Sequence, residues 1–98
     1  MSDNEIPPEF WERADEIISL ANVQVKGSTV GKVSASLLYA AARFNAFSVA
    51  SSALDADEMK KDKKEAINYF VEQYKEMLIE NLDNYIENFD EFTKNVNK

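Results

Sequence analysis

Val33-Ser-Ala-Ser-Leu-Leu-Tyr-Ala-Ala-Ala-Arg-Phe-Asn-Ala-Phe-Ser-Val-Ala-Ser-Ser-Ala-Leu54 is a run of 22 residues with one charge, Arg43, and no Gly or Pro. Such a stretch reads as a helix that is apolar or small on every side, the pattern of a central helix with neighbours all round. Large residues fall on one face: Val33, Leu37, Phe44, Phe47 and Leu54, with Ala40 and Ser51 between them. A second face is small: Ala35, Ala42, Ala46, Ala50 and Ala53, flanked by Ser34, Ala41, Ser48 and Ser52. Large side chains fill a core, and small ones let another helix come close. A helix with both needs partners on more than one side. Arg43, with Asn45 and Tyr39 near it, is the feature that packing alone does not explain. A buried Arg needs a carboxylate or several carbonyls, so these three are the candidate buried polar residues, and Arg43 is a candidate site for a small anionic ligand.

The chain is 98 residues long, the length of one domain, with 45% apolar residues. At this size the margin of stability is thin, and oligomerisation is a common supplement. Its two Gly and two Pro all precede residue 32, and from there on nothing punctuates the chain strongly, which favours long helices over a sheet. There is no Cys, which excludes disulfides, zinc-thiolate sites and thiol nucleophiles. There is no His, which removes the usual general base, the usual transition-metal ligand and any Ser-His-Asp triad. The net charge of −7 repels phosphate backbones, so nucleic acid is not an expected partner. The central run approaches membrane-spanning length. Arg43 at its middle and six Ser or Asn argue against a span, so no membrane partner is expected. The first eight residues hold no basic region followed by an apolar run, so no secretory leader is expected. The compartment these features fit is the cytoplasm.

Outward from the centre, the chain reads as helices. Residues 1–6 are polar and expected to fray, as are 95–98. Pro7 and Pro8 mark a helix start, followed by Glu9 and Glu12 at the positive end of its dipole. Phe10, Ala14, Ile17, Ala21 and Val25 follow at helical spacing, with Trp11 and Ile18 widening the face, giving a first helix over about 8–24. Gly27 suits the position just past a helix end, and Ser28 or Thr29 the cap of the next. The second helix is expected over about 30–54. Asp55, Asp57 and Glu58 then open a third. Its apolar stripe is long: Ile67, Phe70, Val71, Tyr74, Met77, Leu78, Leu82, Tyr85, Phe89, Phe92 and Val96, a seam suited to extended helix-helix packing. Asn81, Asn84 and Asn88 are weak helix formers, which leaves a kink near Leu82–Asn84 open, although no Pro or Gly enforces one.

Length then decides the expected assembly. At 1.5 Å per residue the second helix is roughly 38 Å and an unbroken third helix over 56–93 roughly 57 Å, so about 20 Å overhangs. The overhang carries Tyr85, Ile86, Phe89 and Phe92, and these are the candidate interface residues. Either the helix breaks near Asn84 and folds back, or a second protomer covers it. The apolar period runs through the Asn residues without a phase shift, which favours the second protomer, because a large exposed apolar patch marks an interface.

Three motifs bear on chemistry. Gly27-Ser-Thr-Val-Gly31-Lys32-Val33 looks like a phosphate-binding loop, but three residues separate the glycines where four are required, and Val33 replaces the magnesium-binding hydroxyl. An inter-helix turn with a cap is the plainer reading. Glu72, Glu76, Glu80, Asp83, Glu87, Asp90 and Glu91 line one face of the third helix. Without His they make no Glu-x-x-His di-iron site. Glu9-x-x-Glu12 and Glu80-x-x-Asp83 resemble the acidic pairs of all-helical nucleotide pyrophosphohydrolases, although they lie much further apart in the chain than that family places them. A solvated acidic face opposite an apolar seam explains them as well. Lys60-Lys-Asp-Lys-Lys64 is a basic cluster that suits an acidic partner, including the acidic face of another copy, or simply a solvated helix start.

Three blocks carry a family resemblance: Arg13-Ala-Asp-Glu-Ile-Ile-Ser-Leu-Ala-Asn-Val-Gln24, Gly31-Lys-Val-Ser-Ala-Ser-Leu-Leu-Tyr-Ala-Ala-Ala-Arg-Phe-Asn-Ala-Phe47, and Tyr69-Phe-Val-Glu-Gln-Tyr74 with the acidic tail after it. Together they resemble a family of small uncharacterised proteobacterial proteins defined as a domain of unknown function. The resemblance covers nearly the whole chain and implies a free-standing bacterial protein. It implies no activity, cofactor or catalytic residue.

The sequence thus predicts an all-α single domain over 1–98. It is a three-helix, bundle-like hairpin with a long C-terminal helix, or four helices if the last one breaks, assembling as a homodimer. The expected role is a cytosolic structural or protein-interaction module, with a homodimer partner and room for a further protein partner. No catalytic residue, metal ligand or cofactor is assigned. Two alternatives stand beside it: a metal-dependent hydrolase of a phosphorylated small molecule using the helix carboxylates, and a small-anion-binding module at Arg43.

Overall fold

A computed structural model describes residues 6–96, with side chains from 6 to 92. The described residues form helices and short connections, with no strand among them: α1 (Pro8–Val25), α2 (Val30–Ser52), α3 (Ala56–Glu87) and α4 (Phe89–Val96). Of the residues expected to fray, 1–6 and 95–98, those at 1–5 and 97–98 lie outside the described residues, while Asn95 and Val96 belong to α4. The backbone divides into two units, one up to Phe47 and one from Ser48 onward, the division falling inside α2.

In the first unit, α1 begins behind Pro7, whose extended backbone (φ −66°, ψ 149°) sets up the first turn, with Glu9 at the positive end of the dipole. The alternating Asn22-Val-Gln-Val stretch is the last turn of this helix. The end is tightened by successive three-residue hydrogen bonds: the Lys26, Gly27 and Ser28 amides donate to the Val23, Gln24 and Val25 carbonyls at 3.2, 3.2 and 3.0 Å. Gly27 does not take the left-handed conformation expected after a helix end, since no glycine has a positive φ. Those tight bonds already satisfy the terminal carbonyls. Of the two expected caps, Thr29 serves: its Oγ1 accepts from the Lys32 amide at 3.2 Å.

In the second unit, α2 stops at Ser52, two residues before the expected end. The hydroxyls of Ser51 and Ser52 donate to the Ser48 and Val49 carbonyls at 2.9 and 3.1 Å, competing with the helical ladder. Asp55 then needs an extended backbone (φ −159°, ψ 178°) to cap α3, and its Oδ1 accepts from the Glu58 amide at 2.9 Å.

The third helix is not unbroken over 56–93. It ends at Glu87, and Asn88 leaves helical geometry (φ −114°, ψ 28°) before α4 begins, four residues beyond Asn84, where the less favoured of the two sequence readings put a break. The Asn88 amide and its Nδ2 both donate to the Asn84 carbonyl, at 3.1 and 3.0 Å, while the Phe92 amide donates to the Asn88 carbonyl at 3.2 Å. One residue thus closes α3 and opens α4. Tyr85 and Phe92 are seven residues apart, about 10.5 Å along a straight helix axis. Here their ring centroids stand 4.4 Å apart, brought together by the bend.

Candidate self-association surfaces

No described residue is buried, although the helices carry apolar faces. In the first unit the half-buried positions are Ile6 just ahead of α1, Ala14, Ala21 and Val25 of α1, and Val33 and Asn45 of α2. Between the two helices lies an open groove of about 380 Å³. Ile17, Leu20 and Ala21 line one wall and Val33, Leu37 and Ala40 the other. Leu20 was not among the residues the periodicity placed on the core face, because it sits at the edge of that stripe.

The central helix is not enclosed within the single chain. Tyr39 is 69% exposed, Arg43 is exposed and Asn45 is half-buried. Water solvates the exposed guanidinium, so the carboxylate partner that burial would demand is not required here. The large face of α2 stays open further on, where the Phe44 and Phe47 rings pair at 5.9 Å while 68% and 61% exposed.

In the second unit, α3 presents its seam to solvent. Ile67, Val71, Tyr74, Leu78 and Leu82 are 42–60% exposed. At its end, Tyr85 and Phe92 cover one another in part, while Ile86 and Phe89 remain 70% and 61% exposed. All four expected interface residues therefore lie on the surface around the Asn88 bend. Nearer the start of α3, Lys60, Lys63, Lys64, Ile67 and Asn68 border a hollow of about 250 Å³. The basic cluster was visible in the sequence. The spacing Lys60, Lys64, Ile67, Val71 makes it continuous with the seam. A second hollow, about 390 Å³, lies among Val49 and Ser52 of α2 and Ala66, Tyr69 and Phe70 of α3.

Among the described residues no group of three or more carboxylates stands close enough to hold a metal ion. None of the described helices is long and apolar enough to cross a membrane.

Comparison with known proteins matches this chain to a family model over residues 10–86, from the first turn of α1 almost to the end of α3; its description is "Protein of unknown function (DUF3144)". The NMR structure of the protein NB7890A from Shewanella sp is similar, with a TM-score of 0.72 and 40% identity over 89% of this chain and 93% of that one. No curated protein matches. The match spans most of the chain and contains α1, α2 and the α3 seam. This small helical protein belongs to the DUF3144 family, whose function is unknown.

Proposed function

We propose that this protein is a cytosolic structural or protein-interaction module whose working form is a homodimer. One observation carries the reading: helices of 18, 23 and 32 residues expose their apolar faces and bury no described side chain. Most helical stability in proteins comes from packing an amphipathic face, not from intrinsic propensity. Faces such as these need a cover. A second copy supplies one that matches in length and chemistry. Taking a half-exposed Ile or Leu of the α3 seam fully out of water contributes about 1 kcal/mol, roughly half the value for complete burial. The absence of Cys fits a reducing compartment.

Light scattering on the purified chain at micromolar concentration tests the reading. The expected mass is twice 11.1 kDa. A single-chain mass overturns it.

A further inference from the structure

We propose that the second copy lies along α3 in the antiparallel sense, centred between Tyr74 and Lys75, with Lys60 and Lys64 of each protomer seated over the partner's Phe89 and Tyr85. This rests on the homodimer reading above and adds the orientation, the register and the residues that meet.

The seam begins before its first apolar residue. Lys60, Lys64, Ile67, Val71, Tyr74, Leu78, Leu82 and Tyr85 follow one another at steps of four and three, so they run along one side of α3, and Phe89 keeps the spacing in sequence at the start of α4. The line is lysine at one end, aliphatic in the middle and aromatic at the other. Laid against itself in reverse, it pairs unlike ends that suit each other. Val71 meets the partner's Leu78, Ile67 the partner's Leu82, Lys64 the partner's Tyr85 and Lys60 the partner's Phe89. Aliphatic residues meet in the middle. At the ends, long lysine stems cover rings and their ammonium groups sit on aromatic faces.

Laid in the same direction, the line opposes lysine to lysine and leaves the rings without a cationic partner. The hollow bordered by Lys60, Lys63, Lys64 and Ile67 is where the antiparallel arrangement requires a ring to enter. The Tyr85 and Phe89 rings that would enter such a hollow are 53% and 61% exposed.

Charge along the helix points the same way. Residues 56–64 hold four Lys against Asp57, Glu58 and Asp62, whereas residues 65–93 hold eight acids against Lys75 alone. A parallel pair sets the two acidic halves side by side. The antiparallel pair instead brings each lysine-rich end alongside the partner's acidic end, which carries Asp83, Glu87 and Asp90 on the side away from the seam. Unlike charges at matched ends fix orientation more than they add affinity.

The natural absence of Cys makes disulfide mapping clean. Lys60→Cys and Phe89→Cys are made separately, given distinguishable tags, mixed, allowed to exchange and oxidised. Lys64→Cys with Tyr85→Cys serves as a second pair, and Tyr74→Cys as a marker of the centre. The expected result is a linked heterodimer from each mixed pair and self-linking of Tyr74→Cys. Lys60→Cys alone should give no linked product, because the two copies of that position then lie about 43 Å apart along α3, far beyond a disulfide's reach. Phe89→Cys alone should give none because its two copies sit at opposite ends of the pair. Self-linking at both Lys60→Cys and Phe89→Cys shows a parallel pair and overturns the proposal. So does the absence of links from both mixed pairs and from Tyr74→Cys. Light scattering on the same variants, reduced, separates the two levels. Dimers that link wrongly overturn the orientation alone, and chains of single mass overturn the homodimer reading itself.

Discussion

α2 holds two charges in 23 residues, Lys32 and Arg43, while α3 holds fourteen in 32. The two helices expose apolar residues to a similar degree, yet they need different company. On α3 the acids gather away from the seam, so the helix has a back that belongs in water and one line that does not. A single partner helix laid on that line completes it. On α2 there is no such back. Its large face bears Leu37, Phe44 and Phe47, and its other sides bear alanine and serine, small enough for a helix to approach closely. In the dimer proposed above, α3 is then the helix that would fix the orientation of the pair, and α2 the one that would set how many neighbours are needed.

Substitution tests sharpen that contrast. The largest effect is expected from Leu78→Asp at the middle of the α3 seam. It places an unpaired carboxylate in the joint of both copies and should destabilise by about 4 kcal/mol, the range reached when an unpaired charge is buried. Loss of the dimer by light scattering and loss of helix by circular dichroism check it. On α2, Ala46→Leu tests the small face. If helices close on that face in the assembly, overpacking lowers stability by about 1–3 kcal/mol. A change in melting temperature within error would show that α2 keeps that side in water and would break the contrast drawn here.

A smaller effect is expected at the start of α3, where Asp55→Ala removes the bond to the Glu58 amide and should cost about 1 kcal/mol in denaturant titration. The smallest is expected at Arg43. Because the side chain is exposed, Arg43→Ala should change stability by no more than about 0.5 kcal/mol. A large loss would mean that the assembled protein buries the guanidinium against a carboxylate.

What was legible in the sequence was local. A cap at Ser28 or Thr29, the acids that open α3, the Pro start of α1 and the phase of each apolar stripe are decided by residues within one or two turns, and the helices follow them. The break was legible only in part, because Asn81, Asn84 and Asn88 have the same weak propensity. Asn81 bonds back to the Met77 carbonyl at 2.7 Å and leaves α3 intact. Asn88 makes the same kind of bond to Asn84 but is followed by Asp90 and Glu91, which suit the first turn of a new helix, so the chain restarts there. The surroundings of Tyr39, Arg43 and Asn45 were not legible. Periodicity shows which side of a helix avoids water, whereas burial depends on what arrives to cover it. The same holds for Tyr85, Ile86, Phe89 and Phe92, whose apolar character is plain in the chain and whose cover is not.

If the proposed homodimer is the folded form, folding and association of this chain are one event. The melting temperature, followed by circular dichroism over a roughly hundredfold range of protein concentration, tests it most directly. The expected midpoint rises steadily with concentration, as it must when the folded state is a dimer and the unfolded state is not. A midpoint that stays fixed across the range, with full helical signal at the lowest concentration, would contradict it.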